Sequence, residues 1–321
     1  MSEPGLVTVV IPNRNHAHYL PRALDSFLAQ TWTRLQIVVV DDASSDESRD
    51  VLQRYMTLDS RLRFIALKEH GGIARAVNAG IDLAQGEFLC LGSADDLVEP
   101  AFIERCVTEM NRHPKVGLSF SDPTELHELV RGTIRFPLYL SEEPAYFDPA
   151  ALVDLLKRNY FHMSSNTGLY RLSAFREAGG YHPELHWLMD WFAGLVIALR
   201  HGACYLPEHL TCLTVRGDSY SAHNLRNGKA QRPLLERVLA LLASPAYADV
   251  APSMRRAGLL PDYHPRALFW LMQSREGRKF ITPALVKRIL SRYVWSFARP
   301  VAPAGWRRRL RRLHSERTRA P

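Results

Sequence analysis

The first hundred residues switch repeatedly between two hydrophobic periods, and this switching constrains the fold more than any other feature of the chain. Val7 to Ile11 is a short β-branched run of the kind a sheet buries on both faces. Pro12-Asn13-Arg14-Asn15 ends it. From Tyr19 to Gln30, Leu20, Ala23, Leu24, Phe27 and Leu28 recur at helical spacing, with Pro21 suited to a first turn. Leu35 to Val40 is a second apolar run, stopping at Asp41-Asp42. Ser44 followed by Glu47 has capping-box spacing and predicts a helix through Tyr55. A third strand is expected over Arg63 to Leu67 and a helix over Ile73 to Ala84, after the Gly71-Gly72 turn. A fourth strand over Glu87 to Leu91 ends at Gly92-Ser93-Ala94-Asp95-Asp96. Repeated strand–helix–strand units predict an α/β fold with a mainly parallel central sheet flanked by helices.

That prediction has a functional corollary. In open α/β sheets, ligands lie beyond the carboxyl ends of the strands. Pro12 to Asn15, Asp41-Asp42, the glycine turn and Asp95-Asp96 all fall at such ends, so two acidic pairs are expected to converge on one crevice.

The rest of the chain is less regular. A helix is expected from Leu188 to His201 with Asp190 at its start, another over Gln231 to Ala243, and a turn-rich stretch over Pro245 to Pro265. From Leu285 to Phe297, apolar residues mark one helix face while Lys287, Arg288 and Arg292 lie on the other. The net charge is +8, and residues 306–321 hold seven arginines and one glutamate, which puts +6 of it in the tail. A nearly neutral body argues against a nucleic-acid-binding face. A basic amphipathic end, residues 284–321, suits an anionic membrane surface, a partner, or simple cover for the body. No apolar run reaches the roughly 18 residues of a membrane span, and the N-terminal stretch lacks secretory-signal features. Cys90, Cys106, Cys204 and Cys212 form no CxxC pair and read as buried thiols of a reducing compartment.

Asp95-Asp96 is a hard oxygen site that suits Mg²⁺ or Mn²⁺ bridging to a diphosphate, or else a solvated turn. A carboxylate at Asp41-Asp42 can accept from a nucleobase N–H or a ribose hydroxyl, or can cap the helix that follows. Asp190 sits among Trp187, Leu188, Met189, Trp191 and Phe192. An acid in such company is costly unless it is paired or functional, and it serves either as a general base or as a helix cap. His16, His18, His182 and His186 lack a third ligand at clear spacing and read as solvated or core histidines. Serine-triad, Walker A and GxGxxG patterns are absent, which disfavours hydrolase, P-loop and dinucleotide-binding readings.

Taken in order, Val9-Val10-Ile11-Pro12-Asn13-Arg14-Asn15, Ser26 to Thr31 and Ile37 to Asp46 resemble the N-terminal signature of family 2 glycosyltransferases. Gly72, Asn78, Gly80, Ala84-Gln85-Gly86-Glu87-Phe88 and Ala94-Asp95-Asp96 continue the resemblance. Arg171, Phe175, Ala178 to Tyr181, Asp190 and Leu206-Pro207-Glu208 resemble the acceptor-side half, so the likeness spans about residues 6–222.

The resemblance implies a GT-A fold, a nucleotide-sugar donor (a UDP-sugar by default), a divalent metal and inversion at the anomeric carbon. Asp190 matches the catalytic base, and Asp95 and Asp96 match the metal site. Pro12, Asn13, Arg14, Asp41, Asp42, Gly72, Asn78 and Asp95 fall on the nucleotide side. The acceptor would be a glycan, glycolipid or lipid-linked precursor, with the protein in the cytoplasm, peripheral on the inner face of the membrane. The expected division is a catalytic domain over residues 1–225, nucleotide-binding to about 100 and acceptor-side thereafter, followed by a helical region over 226–321.

Two departures stand out. Ser93 occupies the place of the first metal-motif aspartate, and Arg216 stands about where relatives carry a histidine, positioned to reach the diphosphate. A second reading therefore makes the chain a catalytically impaired nucleotide-binding scaffold of a polysaccharide-synthesis complex. A third, a sugar nucleotidyltransferase, would want a glycine-rich loop after the first strand, which Pro12 to Asn15 lacks.

Overall fold

The computed structural model of the protein describes residues 2–127, 132–158, 161, 163–216, 228–261 and 266–291. Four strands, β1 (Glu3–Asn13), β2 (Leu35–Asp41), β3 (Leu62–Ala66) and β4 (Gly86–Leu91), run parallel in the order β3-β2-β1-β4. Helices α1 (Leu20–Leu28), α2 (Ser48–Leu58) and α3 (Ile73–Asp82) connect them. After β5 (Leu97–Val98) and α4 (Phe102–Arg112), the sheet continues in mixed sense. It adds β6 (Leu118–His127), β7 (Gly132–Arg135), β8 (Ala145–Phe147), β9 (Gly168–Arg171) and β10 (Ala203–Val215). Strand β9 is antiparallel to both β4 and β6, and β10 is parallel to β6. The full order is β3-β2-β1-β4-β9-β6-β10-β5, with β7 on β6 and β8 on β10.

The period-two pattern decides which face each side chain meets. Val9 and Ile11 of β1, Ile37 and Val39 of β2, and Phe88 and Cys90 of β4 pack with Leu20, Leu24 and Phe27 of α1 and Phe102 and Val107 of α4. The alternate residues Val10, Leu89 and Leu91 meet Ala74, Val77 and Ile81 of α3 on the other face. That second cluster also takes in α5 (Pro149–Arg158), α6 (Leu172–Glu177) and α7 (Met189–His201). Leu234 and Val238 of α8 (Gly228–Ala243) and Met254 of α9 (Ala251–Ala257) belong to it as well. Each fully buried aliphatic side chain contributes about 1.5–3 kcal/mol, so both faces hold the sheet rigid behind its strand ends.

Gly86 is where β1 and β4 come closest. A Cβ there would lie 2.6 Å from the Leu6 carbonyl oxygen and 2.7 Å from the Thr8 nitrogen, both backbone atoms that cannot rotate away. Gly86→Ala is expected to wedge the two strands apart and destabilise the protein by about 1–3 kcal/mol in urea unfolding. An unchanged midpoint would show that the pair relaxes freely.

Several expectations are corrected. The Ser44–Glu47 capping box does not form: α2 starts at Ser48, its cap Glu47 makes no side-chain capping bond, and the Ser44 hydroxyl is taken by Asn13 and Asn15. The stretch after Pro245 is partly helical, with a 3-10 turn at Pro245–Tyr247 followed by α9. Residues 283–291 are helical, and of the readings open for this end their inner side covers the body, while Leu290 is exposed. Leu285 and Ile289 are buried in the core, and Arg288 donates to the carbonyls of Leu156, Ala257 and Gly258. The remainder of the basic tail, residues 292–321, lies outside the described residues. Among the described residues no helix is long and apolar enough to cross a membrane.

Candidate active site

The carboxyl ends of β1 and β2 form the first wall of the crevice. Asn13 and Asp41 are paired across the two strands, and Pro12 pairs with Val40. The Asn13 amide donates to Asp41 Oδ1 at 3.1 Å, and Arg49 Nε lies 2.9 Å from Asp41 Oδ2. Asp41 is fully buried, so its carboxylate holds the turn together and has no surface for a ligand, contrary to the nucleotide-side role expected for it. The next residue differs. Asp42 accepts from Gly71 N at 2.7 Å and Gly72 N at 2.9 Å, with His70 Nδ1 2.7 Å away. Burial raises its carboxyl, but those three bonds outweigh it and hold the group below the usual carboxylate range. One acid thereby ties the β3–α3 loop to the end of β2. Gly72, at φ +82, caps α3 in a conformation that L side chains rarely adopt.

Backbone strain collects at the same place. Asn15 (φ 54) and Ala43 (φ 55) are non-glycine residues at positive φ, one in each strand-end turn. Local bonds hold them: Ser45 N donates to Asn15 Oδ1 at 2.8 Å, and exposed Arg14 donates from Nη1 to the Asp42 carbonyl at 2.7 Å.

Asp95 and Asp96 follow β4 and are both buried. The Ser93 hydroxyl donates to Asp95 Oδ1, and Arg216 Nη2 lies 3.0 Å from Asp95 Oδ2. Asp96 Oδ1 accepts from Thr214 N at 2.7 Å, and its Oδ2 accepts from the Asn166 amide. Burial, and then the negative Asp95 beside it, push the Asp96 carboxyl up to about 7. The last residues of β10 thus close the crevice over the end of β4.

Asp190 lies in the first turn of α7, half-buried, with Oδ1 accepting from Trp191 N at 2.7 Å. Four residues earlier His186 takes φ 48 and ψ −123, kinking the 3-10 segment Pro183–Leu188 where it runs into α7. The phenols of Tyr170 and Tyr181, both fully buried, are raised by burial and then by the charge of Asp190. A second 3-10 turn, Ser165–Thr167, lies against β4, β6, β10 and α7. Its Asn166 bonds Asp96, and the turn packs on α7, the helix that bears Asp190.

Asn78 falls elsewhere in this arrangement. Its amide donates to the Tyr181 carbonyl at 2.8 Å and its oxygen accepts from Tyr181 N at 3.0 Å, so it ties α3 to the turn before the 3-10 segment. The sequence also undervalued several residues. His16, read as solvated or core, sits half-buried with Nε2 3.2 Å from Arg216 Nη2. Burial lowers its pKa, opposed by Asp95 and reinforced by Arg216. Tyr19, Arg22, His70, Asn166 and Thr214 were not singled out as site residues at all.

The model of the family described as "Glycosyl transferase family 2" matches residues 8–179, more than half of the chain. A chondroitin synthase of Pasteurella multocida is 36% identical over 227 residues, 70% of this chain and 22% of that protein. Glycosyltransferase GlyG of Streptococcus pneumoniae is 38% identical over 104 residues, 32% of this chain and 34% of that protein. The chain thus spans about a third or less of the length of these curated relatives. Among solved structures, a mannosyltransferase of Pyrobaculum calidifontis in complex with GDP-Man and Mn²⁺ superposes with a TM-score of 0.59 at 17% identity, covering 97% of this chain and 85% of that one. S. aureus TarS (1-349) in complex with UDP-GlcNAc gives 0.58 at 15% identity, covering 86% and 89%. At these identities the likeness speaks for the fold, which is GT-A-like. The extent of the family match decides the rest: this chain belongs to glycosyl transferase family 2.

Proposed function

We propose that the chain, within a catalytic unit of about residues 1–225, is an inverting glycosyltransferase. It takes a sugar from a nucleoside diphosphate donor, a UDP-sugar in the first instance, and places it on a hydroxyl of a glycan, glycolipid or lipid-linked acceptor. The observation that carries this reading is that Asp42 follows β2 and Asp95 and Asp96 follow β4, the parallel strands on either side of β1, while the Ser165–Thr167 turn bonded to Asp96 packs on α7, which bears Asp190.

The donor's nucleoside lies along the Arg14–Asp42 side and its diphosphate toward Asp95 and Arg216. Asp190 accepts the proton of the acceptor hydroxyl as its oxygen attacks the anomeric carbon. The bond from that carbon to the diphosphate oxygen breaks on the opposite face, the centre inverts, and no covalent enzyme intermediate forms. The departing diphosphate gains negative charge, which fixed cationic and N–H groups offset without reorganising. The sparse cysteines support a cytoplasmic location, and the basic amphipathic pattern of the tail supports contact with an anionic membrane.

Mn²⁺ or Mg²⁺ on Asp95 and Asp96 fits the residues poorly. Asp95 is occupied by Ser93 and Arg216, and Asp96 by Thr214 and Asn166. Among the described residues no group of three His, Cys, Asp or Glu side chains is gathered to hold a metal. No step is therefore routed through a cation.

Thermal-shift measurements with UDP, GDP, dTDP and CDP test the reading. One diphosphate at 100 times its Kd is expected to stabilise the fold by about 2.7 kcal/mol. No shift with any of the four, on well-folded protein, would refute donor binding and leave the scaffold reading without a nucleotide as well.

A further inference from the structure

Arg216 is held on three sides. Its Nη2 lies 3.0 Å from Asp95 Oδ2 and 3.2 Å from His16 Nε2, and its guanidinium carbon stands 5.0 Å from the centre of the Tyr19 ring. The side chain is only 17% exposed. Arg22 of α1 lies 5.9 Å from the centre of the same ring and donates to the Asp95 carbonyl at 3.2 Å. Two guanidinium groups therefore lie against Tyr19 beside the acid that the resemblance assigns to a metal. Where the family pattern has an aspartate this chain has neutral Ser93, whose hydroxyl points at the same carboxylate. Both departures change local charge in one direction: one acid is lost and one permanent cation is gained.

We propose that Arg216 is the resident cation of this site, and that the chain binds the nucleoside diphosphate without a divalent metal. The inference rests on the reading of the crevice as a diphosphate site. A divalent cation on Asp95 would have to displace Arg216 or share one carboxylate with it at close range, and like charges repel strongly in so buried a place. Arginine needs no such partner. It stays charged at every working pH, and its planar fork matches a diphosphate's oxygens bidentately. Stacking on Tyr19 and the bond to His16 fix the fork in advance, so little side-chain freedom is lost when the phosphates arrive. When the diphosphate departs carrying its extra charge, the guanidinium exchanges part of its pairing from Asp95 to the phosphate oxygens, and no proton has to move.

Calorimetric titration of the full chain with UDP and with GDP, in EDTA and in Mn²⁺, tests this. At least one of the two is expected to bind in EDTA with a Kd within about threefold of its value in Mn²⁺. Arg216→Ala should weaken binding in EDTA at least about tenfold, the size of a lost charge-assisted contact. Arg216→Lys should retain a measurable part of it. The double variant Ser93→Asp with Arg216→His should bind the nucleotide tightly only when Mn²⁺ is present. Wild-type binding that vanishes in EDTA would overturn the inference and leave the transferase reading standing, and this arm needs no variant to fold. Undiminished EDTA binding by folded Arg216→Ala would overturn it equally. No binding of either nucleotide in any condition would refute the diphosphate site itself, and the inference with it.

Discussion

Asp190→Asn is expected to lower turnover by about 10²–10⁴-fold while leaving the Kd of the nucleoside diphosphate within about twofold. The substitution keeps the shape of the side chain. An Asn oxygen can still accept from Trp191 N, the bond that Asp190 makes at 2.7 Å, so α7 should start where it does now. What the amide cannot do is take up a proton. The surroundings make that loss hard to compensate: Met189 and Trp191 are buried on either side, and the nearest phenols, Tyr170 and Tyr181, are held well above their ordinary range. Neither can serve as a replacement base near neutral pH. Water can stand in for the acceptor, so the check is release of diphosphate from whichever donor the thermal-shift screen identifies. A loss under threefold would remove Asp190 from the proton path.

The second large effect concerns stability and its dependence on pH. Asp96 has a folded-state pKa of about 7 against an ordinary 3.8, because burial and the adjacent Asp95 outweigh its bonds to Thr214 and Asn166. A carboxyl raised in this way leaves full stability in place below about pH 4. That stability is lost as pH rises through the folded pKa, where the buried charge must form. Asp96→Asn cannot ionise, so it is expected to be more stable than wild type, with an advantage roughly 2 kcal/mol larger at pH 8 than at pH 5. Urea unfolding at the two pH values measures the difference. Equal advantages at both would mean that Asp96 does not titrate in that window.

Much of this molecule was legible in its residues. Val7 to Ile11, Leu35 to Val40 and Glu87 to Leu91 declared themselves as buried parallel strands because helices cover both faces of the sheet, and their polar endings pointed to the crevice. Local pattern was less dependable where a side chain had a better partner far along the chain. Ser44 looked like a helix cap, yet it bonds Asn13 and Asn15, some thirty positions earlier. Leu285 and Ile289 with Arg288 suited a membrane surface, a partner or cover for the body equally well by sequence, and in the fold the core and three backbone carbonyls take them.

The division between the two kinds of information follows the range of the forces. Hydrophobic period and turn chemistry act over a few residues, so the sequence alone determined the α/β order, the strand ends, and Asp42, Asp95, Asp96 and Asp190 as the acids to watch. Burial and pairing act between elements, so only the tertiary structure could separate Asp41, sealed under Arg49 and Asn13, from its neighbour Asp42. The same holds for Arg216. It lies some two hundred residues from His16 and Tyr19 in the chain, and only the closing of β10 over the end of β4 sets its charge against Asp95.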